Sequence, residues 1–388
     1  MRYGRLSRSL ELTGLLRPQP AVSMTPNMDP ILRLLAFVVG AALVVSTLNA
    51  AIQTFILPRG ANVWLTRWVF LSIFGLFRWR ASRTTTYADQ DGVMAMFAPT
   101  ALFLLPGAWA VMVTLGYSAM CWALGVEPWF EAFRVSGSSL LTLGFAPVSA
   151  PFQTVLAFSE ATIGLGLIAL LIAYLPAIYA AFSRRETAVA LLEVRAGAPP
   201  SAITMFERAH RLDRLHQLGE VWVGWETWFT EIEESHTSLT ALVFFRSPQA
   251  GRSWVTAAGA VLDAAALAAS TLDVPRDVRA DLCIRSGYLA LRSIADFFRI
   301  SYNPNPQPDD PISIDRSEFD HAYQQLAAAG LPLKPDRDQA WRDYAGWRVN
   351  YDTVLLSLAA LTMAPYAPWV SDRSLRDQPL SAAPWRGS

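Results

Sequence analysis

Long stretches without a charged residue constrain this 388-residue chain more than any other feature of its sequence. Between Asp91 and Glu127 lie 35 consecutive uncharged residues, most of them apolar. A bilayer core of about 30 Å needs about 20 apolar residues in a helix that rises about 1.5 Å per residue. The sequence predicts three transmembrane helices on this criterion, at roughly 32–57, 93–124 and 158–182.

The composition agrees with a membrane protein. Charged residues make up 16% of the chain, against about 25% in an ordinary soluble domain. The net charge is zero, so nothing indicates a nucleic-acid partner. The two cysteines, Cys121 and Cys283, are far apart, which excludes a disulfide framework and a cysteine-rich metal site. We expect no metal site and no cofactor.

The uncharged segment 135–150 differs from the three predicted spans. It is rich in serine, glycine and proline, and it is too short and too broken to cross a membrane. Non-helical backbone at membrane depth persists only where protein or a water-filled cavity covers it. We therefore expect a re-entrant segment, with a short helix from about Trp129 to Leu141 followed by an extended return.

Arginine placement predicts the orientation of the spans. One arginine cluster (Arg78, Arg80, Arg83) precedes the second span, and another (Arg184, Arg185, Arg195) follows the third. Cytoplasmic flanks are enriched in such residues, so loop 125–157 should lie outside and the first span should run inward. The N-terminal arginines would then lie outside, unless translation starts at Met24 or Met28 rather than Met1.

The fold class predicted from these patterns is an all-α membrane protein with three transmembrane helices, a re-entrant pore helix and filter loop, and an all-helical cytoplasmic domain. Helical spacing of apolar residues after about 188 predicts the cytoplasmic helices Ser253–Thr271, Pro275–Ile300, Ser317–Ala329 and Gln339–Met363. The expected organisation is an N-terminal segment that is disordered or untranslated (1–30), a transmembrane helix (31–58), an interfacial helix (62–80), a pore domain (92–182), the cytoplasmic domain (183–370) and a disordered tail (371–388).

The chemistry is expected in the extended return, Thr142-Leu143-Gly144-Phe145. A dehydrated cation needs a ring of oxygens to replace its water, and several identical strands can supply consecutive backbone carbonyls. A threonine adds a hydroxyl, and glycine permits the backbone twist that turns carbonyls to one side. The short helix would direct its negative C-terminal end at the same place.

The segment Ser138–Phe145 resembles the pore-helix end and filter of the two-transmembrane-type potassium channel superfamily, whose common form is Thr-Val-Gly-Tyr-Gly-Asp. The chain is similar to a bacterial branch of potassium channel family proteins, with an extra N-terminal span and a helical cytoplasmic domain. Other segments that carry the resemblance are Glu160–Gly166, Tyr174–Pro176, Ser183–Glu186, Arg195–Pro200, Glu234–His236, Phe245–Ser247 and Ser253-Trp254. The resemblance implies a potassium-conducting pore with its filter at Thr142, Leu143, Gly144 and Phe145.

Two residues depart from that family pattern. Ala146 stands where a second filter glycine is usual, and Pro147 stands where an aspartate is usual. Alanine resists the positive φ that glycine accepts, and proline restrains the residue before it to extended geometry. The outer ion site is therefore expected to be missing or distorted, and potassium selectivity is implied by the resemblance alone.

Other residues are candidates for supporting or gating the pore, and each has a structural alternative. Ser138, Ser139, Arg134 and Glu160 are expected to support the filter; Glu160 attracts cations, pairs with Arg134, or is simply an acid stabilised near a helix N-terminus. Gly164 and Gly166 form a gating hinge or allow close helix packing. Pro176 kinks the inner helix at a gate or serves structure only.

The leading hypothesis is a passive cation channel in a bacterial inner membrane, multi-pass, with the C-terminal domain in the cytoplasm. One chain supplies one pore loop, so a homotetramer with potassium or another monovalent cation as the permeant ion is expected. The alternative is a non-conducting membrane sensor or scaffold whose helical domain binds a partner or ligand. An enzyme is not expected, because no carboxylate pair can be placed in a site and the charges of the helical domain are typical of solvated helix faces. No glycine-rich nucleotide loop occurs in the sequence, so a nucleotide-binding regulatory domain is not expected either.

Overall fold

The computed structural model describes residues 29–55 and 64–373. The predictions for most of the segment 1–30, for the start codon and for most of the tail 371–388 therefore lie outside the described residues. Every regular element in the described ranges is helical, and they contain no strand beyond one isolated bridge between Leu272 and Leu333. The all-helical fold class is confirmed.

The described helices, in chain order, are α1 (Pro30–Phe55), α2 (Trp64–Ala81), α3 (Tyr87–Ala95), α4 (Phe97–Ala123), α5 (Trp129–Leu140), α6 (Pro151–Ala196), α7 (Ala202–Arg211), α8 (Leu218–Ser238), α9 (Trp254–Ser270), α10 (Val278–Phe297), α11 (Arg316–Ala328), α12 (Arg337–Arg348) and α13 (Asp352–Thr362). Short 3₁₀ turns occur at Leu215–Gln217 and Thr240–Phe244.

Three helical stretches are long and apolar enough to cross a membrane. They are Pro30–Thr54, Tyr87–Ala123 and Pro151–Ala196, with mean hydropathies of 2.3, 1.7 and 2.2. Only 17%, 39% and 17% of their most apolar windows are buried within the chain. Apolar surface left uncovered to this extent is typical of helices that face lipid or a neighbouring subunit.

Helices α1 and α4 pack against each other through glycine. A methyl group at Gly40 would lie 2.4 Å from the carbonyl oxygen of Gly116, and one at Gly116 would lie 2.7 Å from a methyl of Val44. Small residues let membrane helices approach this closely. At one end of the pair Arg33 forms an ion pair with Glu127 at 2.5 Å, so the start of α1 lies beside the loop that leads into α5.

Helix α6 is longer than the sequence predicts. It begins at Pro151, with proline at its first position where the missing N–H is no loss. It continues past the expected end at 182, because Ser183–Arg195 contains no glycine or proline to stop it. It ends at Gly197, whose φ is 84°, just before Pro199. One continuous helix therefore joins the third candidate membrane span to the helical domain.

The helical domain is built around α9. Fifteen of its 17 residues are buried, so α9 is apolar on all sides because other helices surround it, and it does not face lipid. The expected helix Gln339–Met363 is wrong, since α12 and α13 are separate. At their junction the Asn350 side-chain amide donates to the carbonyls of Gly346 (3.0 Å) and Trp347 (3.2 Å), which ends α12 locally.

An aromatic cluster connects the membrane helices to the helical domain. The buried Phe97 ring lies 5.1 Å from that of Phe74 in α2 and 5.4 Å from that of Phe244 in the 3₁₀ turn. Arg246, just after that turn, forms an ion pair with Asp91 of α3 and donates to the Thr362 carbonyl at 2.6 Å. The turn and the residues after it are thus fixed to the membrane-proximal helices and to α13 at once.

Candidate functional site

The short helix α5 is the first part of the candidate site, and its predicted position is confirmed. It follows Pro128 and carries Glu131 in its first turn, where an acid is favoured by the helix dipole. One face is buried against α4 and α6, at residues Ala132, Val135, Ser136 and Leu140. This is the i, i+3, i+4 spacing of an amphipathic helix, and it fixes the rotation of α5.

A serine on the buried face of α5 bridges three helices. The Ser136 hydroxyl lies 2.5 Å from Oε1 of Glu160 in α6 and 3.0 Å from the carbonyl oxygen of Thr114 in α4. Such bonds between helices orient them where little water is present to compete. Sequence reasoning missed Ser136; its signal was a hydroxyl on the apolar face of a short helix.

Glu160 is fully buried, and its Oε2 has no hydrogen-bond partner within the described residues. Of the three alternatives for Glu160, the pairing with Arg134 does not occur. Arg134 instead forms an ion pair with Glu131 at 2.8 Å, one turn earlier on the exposed side of α5. Because Arg134 and Ser136 are about 200° apart around the helix, only one of them faces α6. An ionisable residue buried at membrane depth is a functional-site candidate.

The two glycines of α6 have different surroundings. A Cβ added at Gly164 would lie 2.0 Å from the carbonyl oxygen of Leu140, the last residue of α5. A Cβ added at Gly166 would meet no described atom within 4 Å. Gly164 therefore permits the end of α5 to touch α6, which favours the packing interpretation for this residue.

The backbone after α5 folds back over the helix end. The N–H of Leu143 donates to the carbonyl of Ser138 at 2.8 Å, and the N–H of Ala146 donates to the Ser138 hydroxyl at 3.2 Å. Ser138 therefore supports the loop directly. The Ser139 hydroxyl bonds only within α5, to the carbonyl of Val135 at 2.8 Å, whereas its backbone carbonyl accepts from the N–H of Thr142 at 3.0 Å.

The backbone conformation of the expected filter alternates. Thr142 and Gly144 have positive φ values of 54° and 71°, whereas the residues on either side of them do not. Positive φ is easy for glycine and costly for threonine, so surrounding structure must hold Thr142 in it. The apolar side chains here, Leu141, Leu143 and Phe145, are between 55% and 60% exposed in the single chain.

Arg134 lies near one side of the expected filter segment. Its guanidinium carbon lies 5.9 Å from the centre of the Phe145 ring, at the outer limit of a cation–π contact. It thus approaches the filter through Phe145 while its charge is paired with Glu131.

The C-terminal half of α6 is bonded to the helical domain. Pro176 lies inside α6 and lacks the N–H that would bond to the carbonyl of Ile172. Nine residues later, the buried Arg185 donates to the carbonyls of Leu242 (2.7 Å) and Phe245 (2.6 Å) and lies 3.3 Å from Nε2 of His236.

His236 suits the environment of Arg185. Burial, and then the adjacent Arg185 guanidinium, hold the pKa of His236 well below its usual value of 6.5. The neutral ring can accept a hydrogen bond from Arg185. Arg185 therefore links α6, well before the end of that helix, to the same 3₁₀ turn that packs against α2 and α4.

The candidate site offers backbone carbonyls, one hydroxyl and a buried carboxyl group. No cluster of three or more His, Cys, Asp or Glu side chains that could hold a metal ion occurs in ranges 29–55 and 64–373. Backbone carbonyls and a hydroxyl are oxygen donors of the kind that can replace the water around a cation. Comparison with protein-family models, curated proteins and solved structures found no match to this chain.

Proposed function

We propose that the chain forms a passive cation channel, potassium-like, whose pore is completed by four copies in a bacterial inner membrane. The observation that carries the proposal is the connection between α4 and α6. A short helix is fixed there by Ser136 and Gly164, and it ends in an uncharged loop with alternating backbone handedness. An ordinary solvated loop requires neither feature.

The loop suits a filter because of what it presents. Thr142 and Gly144 have positive φ, and Leu143 between them does not. This alternation turns successive carbonyls toward one side. The C-terminal end of α5 adds its negative dipole at this place. A cation entering it would exchange water for carbonyl and hydroxyl oxygens.

Four copies are proposed because one loop cannot surround an ion. The exposed apolar residues Leu141, Leu143 and Phe145 would be covered by neighbouring loops and outer helices in such a ring. The uncovered apolar faces of α4 and α6 would be shared between lipid and neighbouring subunits.

The experiment is flux of potassium and of sodium into liposomes that carry the purified protein, measured side by side. We expect potassium flux that Gly144→Asp abolishes. The matched control is Gly125→Asp, another glycine of positive φ in the same region but outside the filter, which should leave flux intact. Equal flux in Gly144→Asp and wild-type liposomes would exclude a filter at this position.

The second candidate is a non-conducting membrane sensor that keeps the pore fold. Ala146-Pro147 favours it, as does a cavity of about 940 Å³ between the end of α6, α7 and α8 that is lined by four arginines. Those residues are Arg195, Arg208, Arg211 and Arg214. If wild-type protein is silent and the double change Ala146→Gly, Pro147→Asp restores flux, the sensor is favoured over the channel.

A further inference from the structure

A second cavity, of about 420 Å³, lies in the helical domain between α7, α9 and α11. Its walls combine alkyl groups, one indole ring and carboxylates, contributed among others by Ile203, Ala322, Trp369, Glu318 and Asp263. A volume of this size is within the range of small-molecule sites, which are mostly apolar with a few polar groups that fix the ligand.

The unusual member of this wall is Asp263 of α9, which is only 2% exposed. Its Oδ1 accepts three hydrogen bonds, from Tyr344 (3.2 Å), Tyr351 (2.9 Å) and Arg348 (2.6 Å). No hydrogen bond from the described residues reaches its Oδ2. Because Asp263 borders the cavity, Oδ2 is the polar atom that it can offer to a ligand.

The charges around Asp263 do not balance. The buried Arg348 is shared between Asp263 and Asp352, whose Oδ1 it contacts at 2.7 Å. Asp352 also accepts bonds from Ser313, so its oxygens are satisfied. One guanidinium thus faces two carboxylates, and the group has an excess of one negative charge when both are ionised.

Burial disfavours that excess charge. Burial is the main cause of the raised pKa of Asp263, and the neighbouring Arg348 acts in the opposite direction. A cation in the cavity would offset the charge without disturbing the bonds to Oδ1. The other acidic residue that lines the cavity, Glu318, is already paired with Arg373 at 2.5 Å.

We propose that this cavity binds a small organic ammonium ion with an aromatic or other apolar body, whose charged nitrogen donates to Oδ2 of Asp263. The alkyl groups of Ile203 and Ala322 and the ring of Trp369 suit the apolar body. A metal ion suits the cavity less well, because no group of three metal-binding side chains occurs among the described residues. The proposal does not depend on ion conduction.

The test is calorimetric titration of the full-length protein in detergent with 2-phenylethylammonium and with 2-phenylethanol, a neutral molecule of the same shape. We expect the ammonium ion to bind at least about tenfold more tightly, since a hydrogen bond to a charged group exceeds a neutral one. Asp263→Asn should remove that preference. Asp338→Asn, which changes an exposed carboxylate paired with Arg316, should retain it.

Equal binding of both molecules, no binding of the ammonium ion, or a preference that persists in Asp263→Asn would overturn the proposal. Asp263 also holds two tyrosines and Arg348, so its variant is first checked by thermal unfolding. If that variant does not fold, Ala322→Leu replaces it, because the larger side chain fills the cavity from α11 and leaves the carboxylate unchanged. Undiminished ammonium binding in Ala322→Leu would equally overturn the proposal.

Discussion

The contact between Gly164 and the end of α5 gives the sharpest prediction about the membrane region. A methyl group at position 164 would lie 2.0 Å from the carbonyl oxygen of Leu140. Real contacts of this kind are at least 3.0 Å, so Gly164→Ala must push α5 and α6 apart by about 1 Å. Overpacking of this kind costs about 1–3 kcal/mol. Leu140 is two residues before Thr142, so the proposed filter should move with it.

The matched control is Gly166→Ala, because its methyl group would enter open space on the same helix. We expect Gly164→Ala to lower the melting temperature of the purified protein and to reduce cation flux in liposomes, and Gly166→Ala to match wild type in both. Both variants change the helix propensity of α6 equally. A difference between them therefore reports the contact of position 164 with Leu140.

Two results would refute this reasoning. If both variants melt like wild type, then α5 does not touch α6 at Gly164. If Gly166→Ala alone changes flux, Gly166 acts as a hinge, and the packing interpretation does not explain the pair.

Three further predictions concern buried polar groups. Ser136→Ala should destabilise the protein by about 1–3 kcal/mol in chemical unfolding, because Glu160 loses its partner; Ser139→Ala, whose hydroxyl bonds only its own helix, should have little effect. Arg185→Gln should increase hydrogen exchange in residues 240–246, whereas Arg184→Gln, at an exposed neighbour, should not. Because the pKa of His236 is lower in the folded protein than in the unfolded one, the free energy of unfolding should decrease as the pH falls below about 6.5, by up to about 1.4 kcal/mol per pH unit. Thermal unfolding between pH 7.5 and 5.5 measures this decrease. The same pH dependence in His236→Gln as in wild type would contradict the assignment.

The fold could be predicted where one local pattern decides the structure. The three apolar helices and the short helix at 129–141 follow from the absence of charge and from serine- and glycine-rich composition. The end of α6 could not be predicted this way. Arg184 and Arg185 predict an end to the apolar span, but the helix itself continues until Gly197 stops it.

Contacts between helices were the least predictable part of the site. Opposite charge favours a pairing of Arg134 with Glu160, yet Ser136 faces Glu160 because α5 buries its apolar side. The sequence alone does not show how one helix is rotated about its axis relative to its neighbour. The same limit explains why the Arg348 network, assembled from α9, α12 and α13, was not foreseen.

Disulfide cross-linking at Thr142 tests the central claim most directly, that the loops of several copies meet at one axis. The two native cysteines are buried, so an introduced thiol reports its own surroundings. If the Thr142 hydroxyls line a shared pore, oxidation of Thr142→Cys should give covalent dimers on a denaturing gel, whether or not the channel is open. Phe103 in α4 is 76% exposed, and the control variant Phe103→Cys should stay monomeric. Cross-linking at Thr142 no greater than at Phe103 would contradict the account.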